Sequence, residues 1–507
     1  MPVFIGLDIG SSSVRAVAFN EGLVPLHAAQ RQYPMYFPKP GWAEQDPYLI
    51  LSCTLSVLIE TAQSLKEKGI LKELKGIGAS GFMHSSMAVG LDREPLTSLL
   101  PWADQRTAAQ VQRFRREYNG REIYNRTGCP VHTTYVPCKI SWFRESMPEL
   151  DKSTWRYMSA KEWVLGRLTS NYVTDLGIAS GSGLMNMQTK DFDEIALRCA
   201  GIGREMLNPL MEPDTMMGMI TPDISRITGI PHDTPVIVGS SDAAMSSLGS
   251  GAAGIGETAA MIGTSGAIRM ASDRPLTDIG MKCWCYYLAQ GKWIFGGATN
   301  NGGNILSWFK DLLVEAYGEI GGRSELSYEN LIKLAGESPA GAKGLLFLAF
   351  LAGERAPGWN ENARGALLGL TLSHKAEDVA RSILEGTVYQ LEGVYEALKR
   401  QGMCSGRIVA TGGFAKSDLW LRIMAAVLNT DIEVPLSFEG SSAGAAAMAM
   451  VGVGYKEGLE WTSLVRRGAR IIRPDVREAA RYVEILKVYY KAYEALGKTC
   501  EELVRIA

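Results

Sequence analysis

Val3 to Ile9 is apolar apart from Asp8 and ends at Gly10-Ser11-Ser12-Ser13. A second run, Val14 to Phe19, follows and closes on Asn20-Glu21-Gly22. Strand, small-residue turn and strand make a hairpin. A Walker loop and a dinucleotide-binding opening both need a helix after the glycine turn, so neither fits this start. Ile262-Gly263-Thr264-Ser265-Gly266-Ala267 repeats the pattern of Ile9 to Val14 at an offset of 253 residues, with Ile268-Arg269-Met270 as return strand. A hairpin repeated near the midpoint predicts two similarly folded halves.

The pattern between and beyond the hairpins alternates strands with helices. Asp46-Pro47 opens a helix reaching Lys68, with Asp as cap and Pro at the first helical position. Leu74 to Ser80 is a strand feeding Gly81 to Ser86, and Val236 to Gly251 is a buried strand, a turn, a short helix and a Gly-rich exit. The hinge between the halves falls at Gly251 to Gly256. In the second half, Val379 to Lys399 is an amphipathic helix, and Ile408 to Ala410 is a strand entering Thr411-Gly412-Gly413. Helices follow at Ser417 to Leu428, at Ala443 to Gly452 (small residues, suited to tight packing) and from Arg477 onward. Met216 to Met219 reads as core filler near a turn. Glycine turns after short β-branched runs, before helices, predict an α/β fold.

Composition narrows the class. The 507 residues are 46% apolar and 21% charged, an ordinary globular balance with room for two to four domains. Lys and Arg (52) nearly balance Asp and Glu (54), so bulk charge offers nothing to a nucleic acid. The longest apolar run, Gly344 to Gly353, is roughly half a bilayer span, and the start lacks a basic leader. A cytoplasmic protein without a membrane partner is expected. Eight Cys without a CxxC and five His without an HxxxH indicate reduced thiols and no dedicated zinc site.

Two carboxylates stand out. Asp8 lies beside a turn of Gly and three Ser whose amides and hydroxyls can hold phosphate oxygens, and it could serve Mg²⁺. An Asp satisfied by turn amides fits the same segment. Asp242 follows an apolar strand and Gly-Ser-Ser. It reads either as a helix cap or as a general base facing the crevice at the strand's carboxyl end. Gly263 to Gly266 and Gly412-Gly413 add two more glycine turns. Together the four turns point to a nucleotide phosphate site. Cys283-Trp284-Cys285 has the wrong spacing for zinc.

From Val3 to about Gly454 the chain resembles the FGGY carbohydrate kinases, which share the actin and hexokinase fold. Gly365-Ala366-Leu367-Leu368-Gly369-Leu370, seven further residues, then Asp378 to Glu385 resemble the family's second signature. Lys139-Ile140-Ser141-Trp142-Phe143 matches the core of the first, although Val136 stands where a small residue or Pro is expected. Phe82 to Val89, Trp102 to Arg106, Arg126 to His132, Ile178 to Leu184 and Gly353 to Asn360 are most similar to gluconate kinases, and xylulose kinases share much of this ground.

The resemblance implies two actin-like, ribonuclease-H-like domains with a cleft between them. Residues 1–250 would bind the sugar and carry the base, 251–455 would bind the nucleotide, and 456–507 would be a helical extension packed on the second domain. The reaction implied is ATP-dependent phosphorylation of a sugar acid, D-gluconate to 6-phosphogluconate, with xylulose or another polyol as the alternative. A non-catalytic ATP-dependent sugar sensor is the rival from another class. Asp8 would organise Mg²⁺, with Gly10, Ser11, Ser12 and Ser13 near the transferred phosphate. Asp242 would accept the sugar proton, Thr264 and Gly303 would hold phosphates, and Gly412, Gly413 and Ser417 would flank adenosine. His84, Trp102 and Asp104 fit the polyol, and Arg106 or His132 fits its carboxylate. A homodimer is compatible with this reading.

Overall fold

The computed structural model describes residues 1–318, 326–436 and 440–506. Strands β1 (Val3–Ile9), β2 (Ser13–Asn20), β3 (Pro25–Gln32), β4 (Leu74–Gly81), β5 (Met216–Met219) and β6 (Pro235–Ser241) form one sheet ordered β5-β6-β4-β1-β2-β3. A second sheet contains β7 (Thr258–Ile262), β8 (Gly266–Ser272), β9 (Trp284–Ala289), β10 (Lys292–Thr299), β11 (Arg407–Thr411), β12 (Asp431–Val434) and β13 (Arg470–Ile472). Its order is β9-β10-β8-β7-β11-β12-β13.

The two sheets share a topology. Each starts with an antiparallel hairpin, β1/β2 and β7/β8. The first hairpin strand runs parallel to a later strand, β4 or β11, which runs parallel to another, β6 or β12. An antiparallel edge strand, β5 or β13, completes each. The repeated hairpin therefore marks a repeated fold.

The helices used below are α1 (Pro47–Glu67), α2 (Val136–Ser146), α3 (Asp242–Gly249), α4 (Gly303–Gly318), α5 (Ala376–Lys399), α6 (Asp418–Leu428), α7 (Gly440–Gly452) and α8 (Val476–Ile506). Asp46 caps α1 through its side chain, as the Asp-Pro pair predicts. By length and composition α1 could cross a bilayer, yet it packs Ile50, Val57 and Leu58 onto β2 and β3. No turn separates β6 from α3. The strand instead kinks at Gly239, whose φ of +65° brings it so close to Ala79 that a Cβ would sit 1.7 Å from that carbonyl oxygen.

Helix α7 belongs to the second half by sequence, but it packs on β1, β4 and α3 of the first. Its small residues explain how. A Cβ at Gly444 would lie 1.9 Å from the Met245 oxygen, and one at Gly249 would lie 1.9 Å from the Gly440 oxygen. The tight packing expected of this helix is present. Met216 to Met219 is an edge strand rather than core filler: Met217 is buried, Met216 and Met219 face solvent, and the pairing register with β6 shifts between Met216 and Gly218.

Candidate active site

Both hairpin turns open onto one cleft of about 980 Å³, lined by residues of both halves. On one side stand Asp8 and Gly10 to Ser13, on the other Thr264, Ser265 and Gly266, with Asp242 at the first turn of α3. The parallel register of β1 and β4 sets Asp8 beside Ser80, whose hydroxyl donates to Asp8 Oδ1 at 2.7 Å. The turn is braced from behind: Gly10 N–H donates to the Ser13 carbonyl, Tyr33 OH to the Gly10 carbonyl and Gln45 Nε2 to the Ser11 carbonyl.

Asp242 is not the helix cap. Ser241 fills that position, its hydroxyl accepting from Ala244 N–H. Asp242 Oδ1 accepts from Ala243 N–H at 2.7 Å. Burial first, then the Asp8 carboxylate, push the Asp242 carboxyl up to about 6 from an ordinary 3.8, against the pull of Arg269 and Arg355. A carboxyl poised there is ionised at neutral pH yet still takes a proton readily, which suits a general base.

The glycines expected to face a nucleotide form a connected frame behind the Thr264 turn. Gly303 N–H, at the start of α4, donates to the Gly263 carbonyl at 2.7 Å, and Asn304 N–H donates to that of Thr264. Gly412 holds φ +83° against the Ile262 carbonyl, at the ends of parallel β7 and β11. Ser417 caps α6, its hydroxyl accepting from Trp420 N–H. Gly303, Gly412, Gly413 and Ser417 lie outside the cleft lining, whereas the Thr264 turn is part of it.

His84, Trp102 and His132 all line the cleft. His84 is held at φ +67°, uncommon for a side chain with a Cβ. The buried Lys139 of α2 donates to the His84 and Pro101 carbonyls, so one side chain ties together the loops bearing His84 and Trp102. Burial lowers Lys139 to about 7. Burial, with Arg355 next, also holds His84 well below its usual range and takes His132 down to about 3. Both imidazoles are therefore neutral at pH 7, polar partners rather than cations.

Asp104 and Arg106 stand behind the cleft, outside its lining. Asp104 accepts from Ala43 N–H at 2.7 Å and from Arg106 Nε at 2.8 Å. Arg106 also donates to Glu44 at 2.8 Å, and its guanidinium lies over the Trp42 ring. Sequence reasoning offered Arg106 or His132 for a substrate carboxylate. In the structure the guanidinium of Arg106 already has two carboxylates, and the imidazole of His132 carries no charge.

Several lining residues escaped the sequence reading. Trp284 and Tyr286 stack at 4.1 Å between ring centroids and wall the cleft. Arg269 and Arg355 also line it. Trp284 Nε1, Arg269 Nη2 and Arg355 Nε are buried without a hydrogen-bond partner, while His132 Nε2 lies 3.2 Å from Glu361 Oε1. Unpaired buried polar atoms gathered in one cleft are what a polar ligand would satisfy.

The profile of the FGGY carbohydrate kinase N-terminal domain matches residues 3–249, and that of the C-terminal domain matches 258–453. The chain belongs to the FGGY family of carbohydrate kinases. It is thus a phosphotransferase, and kinase membership implies the use of ATP. A gluconokinase from Bacillus subtilis (strain 168) is 38% identical over 453 residues, 89% of this chain and 87% of the relative. The solved gluconate kinase of Lactobacillus acidophilus is 29% identical, with a TM-score of 0.90 and 99% of each chain covered. The ligand-bound xylulose kinase of the same organism is also 29% identical, with a TM-score of 0.91, covering 99% of this chain and all of that one. Backbone shape therefore does not separate the two sugars.

Proposed function

We propose that this kinase transfers the terminal phosphoryl group of ATP to the 6-hydroxyl of D-gluconate in the cytoplasm. The phosphoryl-transfer chemistry rests on one observation, the raised Asp242 carboxyl beside Asp8 in a cleft framed by two amide-rich turns. The choice of gluconate rests on the 38% identical gluconokinase relative.

Asp242 takes the hydroxyl proton on Oδ2, since Oδ1 is occupied by Ala243 N–H. The amides and hydroxyls of Gly10 to Ser13 and of the Thr264 turn orient the phosphate chain, with Gly303 steadying that turn. Gly412, Gly413 and Ser417 flank the adenosine. His84, Trp102 and His132 contact the sugar, while Asp104 and Arg106 brace the Trp102 loop.

Among the described residues no group of three or more His, Cys, Asp or Glu could hold a metal ion. An ion bound mainly by phosphate oxygens and water needs no such cage. Asp8, whose charge presses on Asp242, fits as the anchor of a hydrated Mg²⁺. When bound, that ion would neutralise phosphate charge. Closure of the two halves on the substrates would exclude water and limit ATP hydrolysis. The test is a coupled ADP-release assay over a panel of sugar acids, sugars and polyols. Turnover of none of them in the presence of Mg²⁺ and ATP refutes the reading.

A further inference from the structure

Among the cations of the cleft, the most deeply buried has an environment that the reaction described so far does not explain. Arg269, on β8, is 3% exposed. Its Nε donates to Ser247 Oγ of α3 at 2.9 Å, so it reaches from the second sheet to the helix that carries Asp242. Its Nη2 has no hydrogen-bond partner, and its side-chain bond among the described residues goes to a hydroxyl, not to a carboxylate. Burial pulls it down to about 10 and Asp242 is the carboxylate that pushes it back up. Asp242 offsets that burial only through space, and a buried guanidinium with no carboxylate hydrogen-bonded to it is left under-compensated, so an anion that arrives with a ligand would complete its environment.

The other cations of the cleft are placed differently. Arg364 is exposed and donates to the carbonyls of Glu361 and Ala363. Arg355 is partly open, and its Nη2 lies 3.4 Å from His84 Nε2. Arg269 lies two residues beyond Ala267 on β8, hence on the same face of the strand, and both line the cleft with Trp284 and Tyr286. Asp242 is near enough to perturb it. A linear sugar acid whose far hydroxyl meets Asp242 would pass along this wall.

We propose that Arg269 recognises the carboxylate of an acidic sugar substrate, so that this residue sets the preference for a sugar acid over a neutral sugar. The assignment rests on the gluconate reading above. Guanidinium meets carboxylate through paired N–H groups, a geometry that Lys cannot reproduce.

The experiment compares full-length wild type with Arg269→Met and Arg269→Lys on D-gluconate, D-glucitol (the same chain with a hydroxymethyl in place of the carboxylate) and D-xylulose, with KM for ATP measured alongside. The expected result is that Arg269→Met loses at least ~10²-fold in kcat/KM on gluconate relative to its loss on the neutral substrates, with KM for ATP little changed. Arg269→Lys should recover part of that ratio, which a purely structural role would not produce. Should Arg269→Met not fold, Arg269→Lys decides alone through a raised KM for gluconate only. Equal losses on acid and neutral substrates, with a raised KM for ATP or a lowered kcat, would assign Arg269 to the transferring phosphoryl group and overturn the proposal. No loss on any substrate overturns it too. A wild type that prefers xylulose refutes the gluconate reading instead, a result separable from the behaviour of the variants.

Discussion

Replacing Asp242 by Asn should destroy turnover and at the same time stabilise the free protein. The two shapes are nearly identical, Asn can keep the hydrogen bond from Ala243 N–H, and the helix cap is supplied by Ser241. The fold should therefore persist. What changes is charge. The carboxyl rises from 3.8 to about 6 because burial and Asp8 disfavour its ionised form. At about 1.4 kcal/mol per pH unit, the ionised side chain costs the folded state about 3 kcal/mol once the pH exceeds 6. The cost is absent below the unfolded value near 3.8, where the group is protonated in both states.

Asp242→Asn should thus raise the melting temperature by several degrees at pH 7.5 and shift it little near pH 4. Its kcat should fall ~10²–10⁴-fold while ATP affinity is largely kept, since the loss falls on the transition state. In the wild type, the base function should fade as pH drops through about 6. Calorimetric melts at both pH values and a pH–rate profile test all of this. Wild-type turnover would remove Asp242 from the mechanism, and an unchanged or lower melting temperature at pH 7.5 would refute the electrostatic account of its environment.

Asp8→Ala should weaken activity and Mg²⁺ dependence together; an unchanged Mg²⁺ titration would leave Asp8 as a turn residue. Gluconate should be phosphorylated with at least ~10²-fold higher kcat/KM than xylulose, and comparable values would remove the gluconate assignment while leaving the kinase intact. Gly444→Ala should destabilise by ~1–3 kcal/mol or more in urea unfolding, because its methyl would press on the Met245 carbonyl. Gly497→Ala, on α8 with nothing within 4 Å of the added Cβ, should instead stabilise by up to ~1 kcal/mol.

Features written in consecutive residues were legible in the sequence. The hairpins at Asp8 and Thr264 announce themselves through apolar runs broken by small residues, and β1/β2 and β7/β8 form there. Asp242 was legible as an acid at a strand end, though not its closeness to Asp8, which follows from parallel pairing of β1, β4 and β6. Arg269, Trp284 and Tyr286 carry no local signal. They reach the cleft because β8 pairs with β10 and β10 with β9, so each side chain's face depends on partners elsewhere in the chain. The Asp104–Arg106 pair is the converse case. An acid and a base two residues apart in a loop can satisfy one another, and here they do.

The fold repeat also explains why the site is two-sided yet chemically unequal. The alignment that sets Ile9 against Ile262 sets Asp8 against Met261, and both line the cleft. Duplicated topology thus supplies two facing turns rich in amides, which suits a phosphate chain held between the halves. The acid occurs in one turn only. A second carboxylate at position 261 would face Asp8 and Asp242 and push all three towards protonation, whereas Met leaves that face neutral. The proposed base, Asp242, comes from outside the hairpins, on α3, and its helix is seated by α7 through Gly249 and Gly444. Because α7 belongs to the second half by sequence, Asp242 on the first half is positioned by a segment of the other. A change at Gly444 should therefore alter kcat as well as stability.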